Sequence, residues 1–227
     1  MKLFHLNPQK CMVCGFNACY DELPICKDCL TLVQELLTEE CKTCQKTANL
    51  CQCDKSENLR FAFFYGSFCS QQLIHLLKSS ADTEAVDFLA ELLADAIGFN
   101  PKGFDAIAYV PRNRRNLRRF GCDQAQELAK SLSRKYNLPV INALEQLKGR
   151  EQKLLSRGQR VKDTKNKYRL KPDFHIEEPM NKILLIDDVY TTGASMKICA
   201  KLLRGKIARA VVPITLSKTN HLNKKGS

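Results

Sequence analysis

Eight cysteines fall in pairs between positions 11 and 53, and they constrain the chain more than any other feature: Cys11 with Cys14, Cys26 with Cys29, Cys41 with Cys44, and Cys51 with Cys53. Three pairs are C-x2-C and the last is C-x-C. A C-x2-C turn supplies two thiolates from one tight knuckle. Two such knuckles complete the tetrahedron that zinc prefers, with no position left for water. Residues 1–55 show little hydrophobic periodicity beyond Leu30 to Leu37, which reads as a short helix. A segment that short cannot bury much apolar surface and needs a staple. Structural zinc is therefore expected, two ions rather than one, on Cys11, Cys14, Cys26 and Cys29 and on Cys41, Cys44, Cys51 and Cys53. Ligands interleaved between the two sets would satisfy the same spacing. Redox C-x2-C motifs open a helix after a strand, and no strand-like run precedes Cys11. Cys19, Cys69, Cys122 and Cys199 stand singly.

Composition narrows the class further. At 44% hydrophobic the 227-residue chain can bury a core. No apolar run approaches the roughly 18 residues that cross a bilayer, and MKLFHLNPQKC lacks an apolar signal core. Disulfide-rich secreted domains, integral membrane proteins, collagen and coiled coils are thus disfavoured, and a reducing, cytoplasmic setting is expected. The formal charge of +12 is regional. From Pro111 to Pro172 there are 18 Lys+Arg against 5 Asp+Glu, a difference of +13, so the remainder carries 18 − 19 = −1. A localised excess of this kind points to an anionic partner docked on one region.

From Leu59 onward strand-like and helix-like runs alternate. Leu59–Gly66, Asp105–Pro111, Leu138–Ile141, Lys182–Asp188 and Ala208–Thr215 read as strands. Gln71–Lys78, Ala85–Gly98, Gln124–Tyr136 and Gly193–Leu203 read as helices, with Leu73, Ile74 and Leu77 on one face. Near-continuous apolar strands between helices predict an α/β parallel sheet covered on both faces. Residues 145–170 are basic and weakly periodic, and are expected to be helical in part at most. His75 is expected to be a packed histidine rather than a catalyst. The chain divides into a cysteine-rich module at 1–55, an α/β domain at 56–218 and a polar tail at 219–227.

The second dense motif is ILLIDDVYTTGAS, Ile183 to Ser195. A buried strand ends in Asp187 and Asp188, and a small-residue loop then opens a helix. Ligands of open α/β sheets bind outside the carboxyl ends of strands. A loop leading into a helix N-terminus offers free N–H groups and a positive dipole end that suit phosphate. Thr191, Thr192 and Ser195 add hydroxyl donors, while Gly193 and Ala194 leave the backbone open to approach. Two acids beside such a cradle fit sugar hydroxyls, from which they would accept hydrogen bonds, or Mg2+. The combination reads as a ribose-5-phosphate site, with Asp187 and Asp188 as the candidate catalytic pair.

This motif resembles the phosphoribosyl pyrophosphate (PRPP) loop of type I phosphoribosyltransferases. Val110 to Leu132 (VPRNRRNLRRFGCDQAQELAKSL) and Ala62 to Lys78 (AFFYGSFCSQQLIHLLK) are similar to segments of the ComF family, the competence proteins of naturally transformable bacteria, and the cysteine knuckles fit that family's double zinc ribbon. The resemblance covers nearly the whole chain in order. It implies a zinc-ribbon module followed by a phosphoribosyltransferase-like domain, acting on the cytoplasmic side in DNA uptake. By the same resemblance Asp187 and Asp188 match the ribose-contacting acids, Thr191 to Ser195 the 5′-phosphate cradle, and Pro111 and Arg112, with Lys78, the pyrophosphate side. The family's usual arginine-glycine-phenylalanine-asparagine-glutamine is here Phe120, Gly121, Cys122, Asp123 and Gln124, with Arg119 displaced and an acid in place of the amide.

Arg112, Arg114, Arg115, Arg118 and Arg119 crowd eight positions, more cations than a pyrophosphate requires. Arg114, Arg115, Arg118 and Arg119 are therefore expected to contact the phosphates of single-stranded DNA. An anionic membrane surface is an alternative partner, as are helicase or channel proteins of the transformation machinery. Three functions follow for comparison: a DNA-uptake protein with a PRPP pocket, an active phosphoribosyltransferase with an unidentified acceptor, and a PRPP-sensing regulator.

Overall fold

The computed structural model describes residues 9–19, 24–53, 58–79, 83–112, 121–147 and 167–220. The described residues open with a short antiparallel pair, β1 (Gln9–Lys10) and β2 (Asn17–Cys19), followed by helix α1 (Lys27–Thr38) and a 3-10 turn at Ala48–Leu50. Then come β3 (Arg60–Tyr65), α2 (Phe68–Ser79), α3 (Thr83–Ala96), β4 (Ala106–Tyr109), α4 (Gln124–Tyr136) and β5 (Val140–Ile141). The chain continues through β6 (Leu144–Gln146), β7 (Tyr168–Leu170), β8 (Met180–Tyr190), α5 (Ala194–Leu203) and β9 (Ala208–Thr219).

Five strands form one sheet in the order β3-β9-β8-β4-β5, and every neighbouring pair is parallel. The central strand shows why. On β8, Ile183 and Leu185 pack into one core layer and Leu184 and Ile186 into the other, all of them buried. A strand apolar on both faces must be covered on both. Helices α2, α3 and α4 supply one layer, and α5 with the β6-β7 ribbon supplies the other. Helix boundaries follow local chemistry. Asp123 caps α4 by accepting from the Gln126 N–H, and Asn137 ends that helix in the left-handed region.

The winding reverses between β4 and β8. From β4 the chain passes through α4 to β5 on one side, and from β8 it passes through α5 to β9 on the other. This is the topological switch point of an open α/β sheet, where a crevice opens at the carboxyl ends of the strands. Register places the end of β4 beside the start of the acidic pair on β8: Tyr109 lies opposite Ile186, and the Val110 N–H donates to the Ile186 carbonyl at 2.9 Å.

The cysteine module is part of the same core. Cys11, Cys26, Cys29, Val33 and Leu36 pack in one layer with Ala62, Phe63, Leu73 and Leu77. Cys41, Ala48 and Cys51 pack in the other with Leu59, Phe61 and Phe64. The module thus straddles the edge strand β3. Asn220, just past β9, fastens it: its side chain accepts from the Lys42 N–H at 3.1 Å and donates to the Glu40 carbonyl at 3.3 Å.

Several expectations change, among them the strand β1 directly before Cys11 and a helix α2 that starts at Phe68. Residues 144–146 and 168–170 are not helical but pair as an antiparallel ribbon. Each strand has three residues, too few for alternation to be read, and Tyr168 and Leu144 are buried by contacts distant in sequence. The stretch 148–166 lies outside the described residues. Strand β9 runs to Thr219 rather than Thr215, because Ser217 is fully buried and Thr219 donates its hydroxyl to backbone carbonyls. His75 is exposed, while Leu73, Ile74 and Leu77 take the buried face of α2 as expected. Among the described residues no helix is long and apolar enough to cross a membrane.

Candidate functional site

The eight paired cysteines separate into two sets without interleaving: Cys11, Cys14, Cys26 and Cys29, and Cys41, Cys44, Cys51 and Cys53, each with all four sulfurs within 4.8 Å of one another. A Zn–S bond of about 2.3 Å in a tetrahedron places sulfurs about 3.8 Å apart. The chain gives 3.8 Å for Cys14–Cys26, 3.6 Å for Cys41–Cys53 and 3.8 Å for Cys44–Cys51. The Cys26 N–H donates to the Cys11 sulfur at 3.3 Å, as a thiolate ligand would require. Burial opposes ionisation of Cys11, but backbone N–H groups of Cys14 and Cys26 outweigh it and bring the thiol down to about 6. Burial and the adjacent cysteines push Cys29 up. Four such sulfurs become thiolates together only around a cation, so both sets fit a structural zinc ion.

The second constellation occupies the switch-point crevice. Pro111 is buried at the end of β4, and Arg112 follows it. The Arg112 guanidinium pairs with the Asp188 carboxylate, both largely shielded from solvent. The Arg112 N–H donates to the Asp123 carboxylate at 2.8 Å, which ties the strand end to the α4 cap. Asp188 also accepts from the Val189 N–H at 2.9 Å, and Asp187 accepts from the Asp188 N–H at 2.9 Å. Thr215 on β9 donates to the Asp188 carbonyl at 2.9 Å. Burial, and then the adjacent Asp188, hold the Asp187 carboxyl well above the usual carboxylate range. Burial likewise raises Asp123.

Beyond the acids, Gly193 takes the left-handed region (φ 71°) as the N-cap of α5. A small cavity of about 50 Å³ lies between Asp187, Tyr190 and the loop from Thr191 to Met196. Thr191, Thr192 and Ala194 are exposed and Ser195 is half-buried. The first amides of α5 have no intrahelical acceptor, so the loop presents N–H groups and hydroxyls together. Tyr168 of the β6-β7 ribbon donates to the Ser195 hydroxyl at 3.0 Å. Burial pushes the Tyr168 phenol up to about 12, which keeps it a neutral donor.

The fold therefore brings Pro111, Arg112, Asp187, Asp188 and Thr191 to Ser195 to one sheet end. Lys78 sits half-buried in the last turn of α2, a helix that packs chiefly on α1, α3 and β3. Arg114, Arg115, Arg118 and Arg119 lie outside the described residues. All five ion pairs among the described residues use cations of the basic segment: Arg112, Lys130, Arg134, Lys135 and Arg169. Part of the regional charge is thus neutralised by Asp87 and Glu91 of α3. Asp123 carried a readable signal as a capping acid before a helical run. Tyr168 carried none, because nothing local ties it to Ser195. Gln124 is fully buried at the start of α4, and its side-chain oxygen has no partner among the described residues.

No protein-family profile matches the chain, and no curated protein matches it. Among solved structures it is similar to a hypothetical protein from Neisseria gonorrhoeae with bound ppGpp, at 14% identity and TM-score 0.37, covering 75% of this chain and 77% of that one. It is also similar to adenine phosphoribosyltransferase from Thermoanaerobacter pseudethanolicus, at 14% identity and TM-score 0.38, covering 83% of this chain and 99% of that one. Similarity at this level assigns neither a family nor a ligand to the chain.

Proposed function

We propose that the switch-point crevice binds a 5-phosphoribosyl ligand, PRPP with Mg2+, in a ComF-type protein of bacterial natural transformation that handles single-stranded DNA in the cytoplasm. The observation that carries the pocket is the convergence of Arg112, Asp187, Asp188 and the loop into α5 at one sheet end. The 5′-phosphate would lie on the amides and hydroxyls from Thr191 to Ser195. Asp187 and Asp188 would accept from the ribose hydroxyls. Arg112, now paired with Asp188, would face the pyrophosphate, with Lys78 as a second cation. The oxygen donors of the two acids suit Mg2+, which would neutralise charge on the pyrophosphate oxygens.

The DNA role rests on the ComF resemblance of Ala62–Lys78 and Val110–Leu132 and on the excess of cations between Pro111 and Pro172. Binding should be largely sequence-independent, and replacing Arg114, Arg115, Arg118 and Arg119 should flatten its salt dependence by about 0.7 in log–log slope per lost phosphate contact. The same crevice would serve an active phosphoribosyltransferase or a PRPP-sensing regulator. Pyrophosphate release on incubation with PRPP and candidate acceptors separates turnover from binding.

Calorimetric titration with PRPP and Mg2+ tests the pocket. Wild type should bind with a dissociation constant below about 1 mM, equivalent to about −4 kcal/mol. Asp188→Asn, whose amide NH2 cannot accept, should bind at least about tenfold more weakly, a loss of about 1.4 kcal/mol. Equal affinity in both proteins, or no binding by wild type, would overturn the reading.

A further inference from the structure

At the opposite end of the sheet, where the strands begin, a second cavity of about 220 Å³ opens between the end of α3 and the starts of β3 and β8. Its floor is sheet surface, including Leu184 and Ile214. Phe99 and Phe104 form one wall, with ring centroids 5.6 Å apart. Three cations line it, Arg60, Lys102 and Lys182, and no carboxylate does. None of the three belongs to an ion pair among the described residues. The Lys182 ammonium lies 4.5 Å from the centre of the Phe104 ring, which holds it against the aromatic wall.

Simpler roles for these cations are already filled. The end of α3 does not need them, since the Gly98 and Phe99 N–H groups cap the Asp95 and Ala94 carbonyls at 3.1 and 2.8 Å. The nearby acid, Asp105, does not line the cavity and turns one carboxylate oxygen to the backbone N–H groups of Asn181 and Lys182, at 2.7 and 2.9 Å. What is left is an aromatic-walled, apolar-floored hollow with a surplus of positive charge. Inorganic phosphate would satisfy the charge and leave the apolar surface wet. A neutral ring would fill the hollow and leave the like charges repelling. A flat apolar body carrying one anionic group satisfies both, and the volume, below that of a drug-sized pocket, limits the body to about one ring.

We infer that this cavity is a binding site for a small aromatic carboxylate, separate from the switch-point crevice and independent of the function proposed for it. The test is a fluorine NMR titration of the full-length, zinc-loaded protein with 4-fluorobenzoate and with 4-fluorobenzyl alcohol. The acid should saturate by about 10 mM and bind at least about tenfold more tightly than the alcohol, the size of one charge-assisted contact. Lys102→Gln with Lys182→Gln should cost the acid at least a further factor of about ten at an unchanged melting temperature. If the double variant melts early, Lys102→Gln alone, on an exposed turn, takes its place and should weaken the acid several-fold. Equal binding of acid and alcohol, no saturation by the acid, displacement of the acid by equimolar inorganic phosphate, or indifference to the lysine changes would each overturn the inference.

Discussion

Arg112 and Asp188 show how a single pair couples stability to site geometry. Both are largely shielded from solvent, so removing one partner strands the other's charge. Arg112→Ala should destabilise the protein by about 2–3 kcal/mol, below the full cost of breaking a deeply buried pair because some solvent reaches the site. Urea denaturation would measure this, and Arg112→Lys should recover part of it. The neighbouring Asp187 acts in the other direction. Burial and Asp188 raise its carboxyl in the folded state. A raised carboxyl contributes stability at acid pH and loses it as pH climbs through the raised value. Asp187→Asn, neutral and still able to accept the Asp188 N–H, should therefore stabilise the ligand-free protein at neutral pH. The gain should vanish below the ordinary carboxylate range. Melting temperatures of both proteins across pH check the crossing. Gly193 is required for two structural reasons. Its φ lies in the left-handed region, and a side chain there would collide with the Tyr190 phenol. A side chain at 193 would thus clash within the protein itself.

At the scale of elements, helix α4 and the β6-β7 ribbon brace the crevice from either side. Asp123 caps α4 and accepts from the Arg112 N–H with the same carboxylate. Asp123→Ala should cost about 1–2 kcal/mol, as loss of a helix cap does, and Asp123→Asn less, since its one amide oxygen keeps one of the two bonds that the two carboxylate oxygens accept. Denaturant midpoints would separate the two. The ribbon touches the loop that leads into α5 through Tyr168 and Ser195. Tyr168→Phe leaves the buried ring in place and removes one hydrogen bond, so it should cost about 1 kcal/mol. A larger loss would mean that the ribbon itself comes away from α5.

For the whole molecule the cysteine sets matter because of where they pack. They join both core layers on either side of β3, the edge strand of the main sheet. An uncovered edge strand is a liability for pairing with other chains. Chelation of zinc should therefore loosen more than residues 1–55. Hydrogen exchange should rise in β3 and along the Leu73, Ile74 and Leu77 face of α2, with association of the apo protein through the exposed edge. Exchange confined to the cysteine segment would show instead that the main sheet needs no cover from the module.

Elements with a complete local signature were legible in the sequence. The knuckles announce themselves by spacing, because two thiolates three residues apart can share one metal whatever surrounds them. The strand from Lys182 and the loop to Ser195 announce themselves by an apolar run, two acids and a small-residue turn, all contiguous. Helix α4 was legible to the residue because its cap and apolar face are local. What the sequence left open needed partners from elsewhere in the chain. The division of eight cysteines into two sets, the pairing of Arg112 with Asp188, and the reach of Tyr168 to Ser195 depend on which strands become neighbours. Strand order is set by how the two helical layers cover an apolar sheet, and that packing joins residues 27 to 76 positions apart, a separation no local pattern records.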